Sequence, residues 1–336
     1  MIEDTHITLA HGNGGRYMRE LIEQIFARHL ANPALDVRLD AARIELEPGA
    51  VPYITTDAFT VQPLEFPGGD IGTLAVNGTV NDLAVSGAIA RVLTLNAILE
   101  EGLEVAVLDR IVRSLGAAAR AAGVNVIAGD TKVVPRGQGG GLYLATTGVG
   151  YRAPDCRLAL ESIRPGDELL VSGPIGDHGI AVMLAREEFE LQGEVMSDCA
   201  AVTPLTAPIR GLDGVRFMRD PTRGGLATVA HEIAAATGLD VRLRESDIPL
   251  RAAVRACCDI LGYDPYYLAC EGRVLAVADV QAAEAIIELW RALPGGAAAA
   301  RIGRLLPGRG RVILETGIGG ERVLEELEDD PLPRIC

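Results

Sequence analysis

Five side chains carry most of the chemistry this sequence can offer: three carboxylates, one ammonium and one thiol. Asp57 closes the strand-like run 51–56, Asp82 follows Asn81 within a stretch of small residues, and Asp130 leads Thr131 and Lys132. Hard oxygen donors on three separate segments suit a Mg2+ that shares its shell with nucleotide phosphates. Of the 31 basic residues, 30 are arginine and Lys132 is the one lysine. A compact ammonium places a point charge on a phosphate in a way a planar guanidinium cannot; a chance survivor of an arginine bias is the alternative. The thiol is Cys336, at the end of Pro331-Leu332-Pro333-Arg334-Ile335-Cys336. Free cysteine usually packs as a small hydrophobe, but the two prolines keep this run extended, and the eight residues beyond Glu328 would reach about 26–29 Å, the span of a swinging arm. A frayed end that finishes in Cys is the other reading.

Two further segments are candidates. Arg219, Arg223, Gly224 and Gly225 surround a helix start in Arg219-Asp220-Pro221-Thr222-Arg223-Gly224-Gly225 and make an anion receptor, unless Asp220 or Thr222 merely caps the helix. Glu271, at a bend before the strand 273–278, is either a base or a solvated turn carboxylate.

The elements that must position these groups follow from periodicity. Tyr17, Met18, Leu21, Ile22, Ile25 and Phe26 mark one face of a helix after the turn His11-Gly12-Asn13-Gly14-Gly15. A strand over 51–57 is followed by a helix from Gly69-Asp70 to Gly87, on which Asn77 and Asn81 share a face and Asp82 lies about 100° further round. Buried caps or helix contacts compete with ligand binding at Asn81-Asp82. A strand over 91–99, a helix over 105–122 and a buried strand from Val124 lead into the polar Asp130-Thr131-Lys132, where a rigid base would present them. Pro154, Pro165 and Gly166 mark a domain boundary. The second half repeats the alternation, with strands over 167–171, 215–218 and 273–278, a helix from Ile180, and His178 in the loop before it. No Walker A run exists, and Gly148-Val149-Gly150 is rejected as a dinucleotide turn because Pro154 follows where a helix should begin.

Composition narrows the class. A hydrophobic content of 49% over 336 residues predicts two cored domains. A net charge of −15 argues against nucleic acid. The absence of a membrane-length apolar run or an amino-terminal signal core predicts a cytoplasmic protein. Six cysteines, at 156, 199, 257, 258, 270 and 336, form no CxxC pair and are expected to stay reduced.

Together, Thr56-Asp57, the run from Asn81 to Gly87, Gly129-Asp130-Thr131-Lys132, Asp220 to Gly225 and the terminal Pro-Arg-Ile-Cys resemble the HypE family of hydrogenase maturation proteins, across nearly the whole chain. The inner motifs are similar to a wider superfamily with aminoimidazole ribonucleotide and selenophosphate synthetases; the terminal Pro-Arg-Ile-Cys is particular to HypE. Selenophosphate synthetases carry their reactive Cys or Sec near the amino terminus, whereas the first cysteine here is Cys156. Cys270 stands where the family pattern leads one to expect Asn. The resemblance implies an α+β, two-domain PurM-like fold: an ATP-binding, dimerising domain over 1–154, an α/β domain over 155–325 and a flexible tail over 326–336. It also implies that sheets of two subunits pair into a barrel. The implied activity is ATP- and Mg2+-dependent dehydration of an S-carbamoyl group on Cys336 to a thiocyanate, supplying cyanide to the iron of [NiFe]-hydrogenase. Asp57, Asp82 and Asp130 would hold the metal. Asn81, Thr131, Lys132, Asp220, Thr222, Arg223 and Gly224 would hold the nucleotide, and Cys336, Lys132 and Glu271 would do the chemistry. Expected partners are a second copy, the carbamoyltransferase HypF and an iron-carrying HypC–HypD scaffold. Two other readings stand beside it: a synthetase or kinase of the same superfamily acting on a free small molecule, and a non-catalytic nucleotide-binding scaffold.

Overall fold

The computed structural model describes residues 4–39, 41–45, 47–186 and 195–328; Cys336 and the rest of 329–336 lie outside the described residues. The chain divides into two compact units. One takes the residues up to Leu83 together with Ala88–Pro154, the other Ala84–Gly87 and the described residues from Asp155 on.

In the first unit, α1 (Arg16–Leu21) and α2 (Arg28–Leu30) are the ends of one helical run whose middle, Ile22–Ala27, is π-wound. Leu21, Ile25, Phe26 and Leu30 are buried, while Tyr17 faces solvent. Then follow β1 (Val51–Phe59), the short hairpin β2 (Glu65–Phe66) and β3 (Gly69–Asp70), α3 (Ile71–Val85), β4 (Ile89–Glu100), α4 (Val105–Ala121), β5 (Asn125–Val134) and β6 (Leu142–Arg152). Asp70 Oδ1 accepts from the Thr73 N–H at 2.8 Å and Thr73 Oγ1 from the Asp70 N–H at 2.9 Å, a reciprocal cap that starts α3. Ile71, Leu74, Ala75, Val76, Val80 and Leu83 are all buried, as expected of a helix apolar on most sides.

The sheet order is β1-β6-β4-β5, with β4 and β5 parallel through α4 and the other pairs antiparallel. The barrel implied by the resemblance is therefore corrected. This sheet is open, with β1 and β5 as its edges, and four strands are about half of what closure takes. β6, which covers Gly148 and Gly150, was not expected as a strand.

The second unit contains β7 (Glu168–Val171), α5 (Asp177–Ala185), α6 (Thr203–Thr206), β8 (Val215–Arg219), α7 (Gly225–Thr237), β9 (Leu239–Arg244), α8 (Ala252–Leu261), β10 (Leu275–Ala278), α9 (Val280–Arg291), β11 (Ala300–Pro307), β12 (Val312–Glu315) and β13 (Glu321–Val323). The seven strands run in the order β13-β12-β9-β11-β7-β10-β8. Leu169 and Val171 pack with α7 on one face, Leu170 with Trp290 of α9 on the other. Burial on both faces is why residues 169–171 of β7 and the whole of β10 read as unbroken apolar runs. Among the described residues no helix is long and apolar enough to cross a membrane.

Gly116 of α4 is pressed against the chain at α2, where a Cβ would sit well inside contact with the His29 carbonyl oxygen. Gly→Ala in a helix ordinarily gains up to about 1 kcal/mol, but here overpacking of about 1–3 kcal/mol opposes it. Gly116→Ala should therefore lower the urea midpoint. A raised midpoint would show that the two helices part freely.

Candidate functional site

Strand parity sorts the acidic residues. Asp57 pairs across the sheet with Thr146, Thr146 with Leu95, and Leu95 with Gly129. Residues in such a row share a face; Thr146 is buried with its hydroxyl on the Ala75 carbonyl of α3, and Leu95 is buried too. Asp57 and Thr55 thus lie on the helix-covered face, and the Thr55 hydroxyl donates to Asp82 Oδ2 at 2.8 Å. Asp130 pairs instead with Asn96, and Lys132 with Ile98, a row on the open face, where Ile98 is exposed. Three strand intervals separate the rows' ends, about 14 Å. One chain therefore does not bring Asp130 to an ion held by Asp57 and Asp82, and among the described residues no three His, Cys, Asp or Glu side chains cluster as a metal site. Asp57 and Asp82 with Thr55 remain a set of hard oxygens of the kind Mg2+ takes beside phosphates.

On the open face Lys132 Nζ lies 2.9 Å from Asp130 Oδ2. That hydrogen bond holds the Asp130 carboxyl below its ordinary value. Thr131 points to the other face and is buried, as is Asn81 on α3. A cavity of about 880 Å³ lies in the same unit, lined by Phe26, Leu35, Arg43, Leu95, Gly129 and Asp130 among others, a size that accommodates a nucleotide.

In the second unit, neither Asp220 nor Thr222 caps α7. The cap is Gly224, φ +72°, with no side-chain bond, and Gly225 follows at φ +58° against the Leu268 carbonyl; both positions favour glycine. The Cys270 N–H donates to the Pro221 carbonyl at 3.0 Å, and the Gly176 N–H to Cys270 Sγ at 3.2 Å. The loops before α5, before α7 and before β10 are thereby stitched together. Glu271 is 3% exposed, so it is no solvated turn carboxylate. His178 lies in the first turn of α5 rather than in a loop, is fully buried and has Nδ1 2.8 Å from Ser197 Oγ. Burial pushes the Cys270 thiol well above its ordinary value. Burial first, then the charge of Asp198, raises the Asp177 carboxyl. Asp177, Asp198 and Arg273 were missed in the sequence. Arg273 could have been found as a cation leading an otherwise apolar strand, whereas Asp198 sits outside any helix or strand and carries no local signal.

The N-terminal domain of AIR synthase related proteins matches residues 38–151, and the C-terminal domain of the same proteins matches 164–315. Fold and site therefore place the chain in that two-domain class. Carbamoyl dehydratase HypE of Azotobacter vinelandii is 46% identical over 332 residues, covering 98% of this chain and 97% of its own. A crystal structure of hydrogenase maturation protein HypE in complex with ATP aligns at TM-score 0.92 and 43% identity, over 98% of this chain and 99% of that one. A crystal structure of a HypE–HypF complex aligns at 0.80 and 39%, over 91% and 99%. The chain belongs to the HypE family, the carbamoyl dehydratases of hydrogenase maturation.

The Asp130–Lys132 contact yields a direct test. A carboxyl lowered by its partner contributes stability above its unfolded pKa and loses it as pH falls through the folded value; with both groups more than half exposed, screening keeps that contribution small. In a carboxyl-carbon NMR titration Asp130 should titrate below an ordinary aspartate and move upward in Lys132→Met. An unmoved midpoint would remove Lys132 as the cause.

Proposed function

We propose that this protein uses ATP and Mg2+ to dehydrate an S-carbamoyl group carried on Cys336 to a thiocyanate, the source of the cyanide ligand for a [NiFe]-hydrogenase iron. The observation that carries this reading is Lys132, whose ammonium is exposed, set on a rigid strand and braced by Asp130; family membership supports it. The carbamoyl oxygen is a poor leaving group. Transfer of a phosphoryl group onto it lets phosphate depart, taking that oxygen with it, while two protons leave the nitrogen and a C≡N remains on sulphur. Phosphoryl transfer is mostly positioning and electrostatics. Lys132 holds the transferring charge, and Glu271 takes the amide protons. Bound Mg2+ would neutralise phosphate charge, with Asp57 and Asp82 as its protein ligands; because Lys132 stands on the other face of the sheet, the metal and the ammonium would meet on one nucleotide only when two copies supply them. The cavity beside β5 takes the nucleoside, and the Asp220–Gly224 loop, with Arg223 exposed, offers a further phosphate contact. Asn81 and Thr131 support this site from buried positions.

On this reading a HypF carbamoyltransferase loads Cys336 and a HypC–HypD scaffold receives the cyanide, in the cytosol. The working form is a homodimer. β1 is an edge strand with Ile54 73% exposed and Val51 also exposed, and an apolar edge of this kind invites a second copy. Light scattering at micromolar concentration should give twice the chain mass; monomer alone, with Mg-ATP present, counts against it.

Intact-mass spectrometry tests the reaction. Wild-type protein carbamoylated at Cys336 should become lighter by one water with Mg-ATP. Lys132→Arg should load normally but stall, because its wider fork misplaces the phosphate, and a displacement of about 1 Å costs roughly a hundredfold. Dehydration of Lys132→Arg at the wild-type rate would show that the single lysine has no catalytic part.

A further inference from the structure

The bend that carries Glu271 is gripped by one buried carboxylate. Asp198 Oδ1 accepts the Glu271 N–H at 3.0 Å and Oδ2 the Gly272 N–H at 3.3 Å. In return the Ala200 N–H donates to the Glu271 carbonyl at 3.3 Å. Gly272 lies so near the Asp198 carbonyl that any Cβ there would collide with main chain. The grip is therefore made by both the side chain and the backbone of the 198–200 segment.

Asp198 is anchored in turn. Its side chain is 1% exposed, with Arg273 Nε 3.3 Å from Oδ2. That contact is an ion pair, since the Arg273 Nε–H itself donates to the Pro174 carbonyl at 2.8 Å, while Nη1 donates to the Gly295 carbonyl and Nη2 to Asp177 Oδ2, each at 3.3 Å. Arg251 closes the array from outside, 2.9 Å from the same Asp177 oxygen. Asp177 Oδ1 is buried without a hydrogen-bond partner. Buried ion pairs of this kind are weak contributors to stability, since apolar residues of like volume do as well or better. What this one does, and apolar residues could not do, is hold two successive amide N–H groups at a fixed bend.

We propose that Asp198 and Arg273 are positioning residues for the dehydration, aiming the Glu271 carboxylate at the substrate nitrogen. The proposal rests on the role given to Glu271 above. A base must lie within hydrogen-bond reach of the proton it takes, and a displacement of about 1 Å can cost a hundredfold. Asp198→Asn keeps the shape but turns an NH2 toward one of the two N–H donors, so the bend loses one of its two clamps. Asp198→Ala loses both.

The experiment follows single-turnover water loss from full-length protein carbamoylated at Cys336, by intact mass over a range of ATP concentrations, in variants verified as folded by circular dichroism. Asp198→Asn should slow dehydration by about 10–100-fold, and Asp198→Ala further. Half-saturating ATP and the loading of Cys336 should stay within about twofold of wild type, a split between rate and binding that loosened structure would not give. Should Asp198→Asn not fold, Arg273→Lys, which keeps the charge but loses the fork, is read in its place with the same expectation. Glu271→Gln is run alongside. If it stalls while folded Asp198→Asn or Arg273→Lys turns over at the wild-type rate, the positioning role is overturned and the base assignment stands. If Glu271→Gln itself turns over normally, the base assignment fails and the positioning role fails with it.

Discussion

One extra residue in β5 decides which chemistry the first unit can present. Leu93 of β4 pairs with Val126, but the next residue, Thr94, pairs with Ala128, so Ile127 is skipped. Without that shift Asp130 would fall opposite Ala97, which is buried, and Lys132 would face the core beside it. A one-residue slip turns every later side chain to the other face, and a bulge is how a sheet does this locally. Because of it Asp130 and Lys132 stand in solvent as a pair. The same parity leaves Asp57, Thr55 and Asp82 on the helix side. The reacting charge and the metal-type oxygens are thus delivered to separate faces of one thin sheet.

The second unit solves a different problem. The centre of its sheet is covered on both faces, so β10 and residues 169–171 of β7 hold only Leu, Val and Ala, and the buried polar groups around Glu271 come from the loops at the strand ends. Those loops are still buried, which makes every charge there costly unless it is paired. Asp177, Asp198 and Arg273 satisfy most of one another's demands, and Cys270 fits the same enclosure because its sulphur accepts the Gly176 N–H. An Asn at that position would offer an amide oxygen for the same role. The thiol keeps the contact while burying no second polar group, and burial holds it protonated, so it is placed to pack rather than to react.

Much of this was legible. The helix of small residues from Ile71, the polar end of β5, and the strands β7, β8 and β10 all announce themselves by period and by the abruptness with which polar residues interrupt apolar ones. What stayed hidden needed partners. β6 alternates glycine and threonine with apolar residues and gains its identity only between β1 and β4. The separation of Asp130 from Asp57 depends on a pairing shift that no window of sequence reports. Asp198 acts through two amide groups 73 and 74 residues away. His178 looked like loop because glycines surround it, yet α5 begins one residue earlier, at Asp177.

The arginine bias itself becomes interpretable at two positions. Arg273 is nearly buried and sends nitrogens in separate directions, to two carbonyls and two carboxylates. A planar fork does this with little reorganisation, whereas an ammonium on a flexible stem would leave some acceptors unmet. Lys132 is the opposite case: exposed, with one short contact to a carboxylate two residues before it on the same strand face. Nothing in that setting calls for a fork, and an arginine there would satisfy Asp130 equally well. A sequence that uses arginine at all 30 of its other basic positions keeps its single ammonium at a place where static structure does not require one. The requirement must then come from what approaches the open face, a compact anion whose position matters more than its pairing geometry.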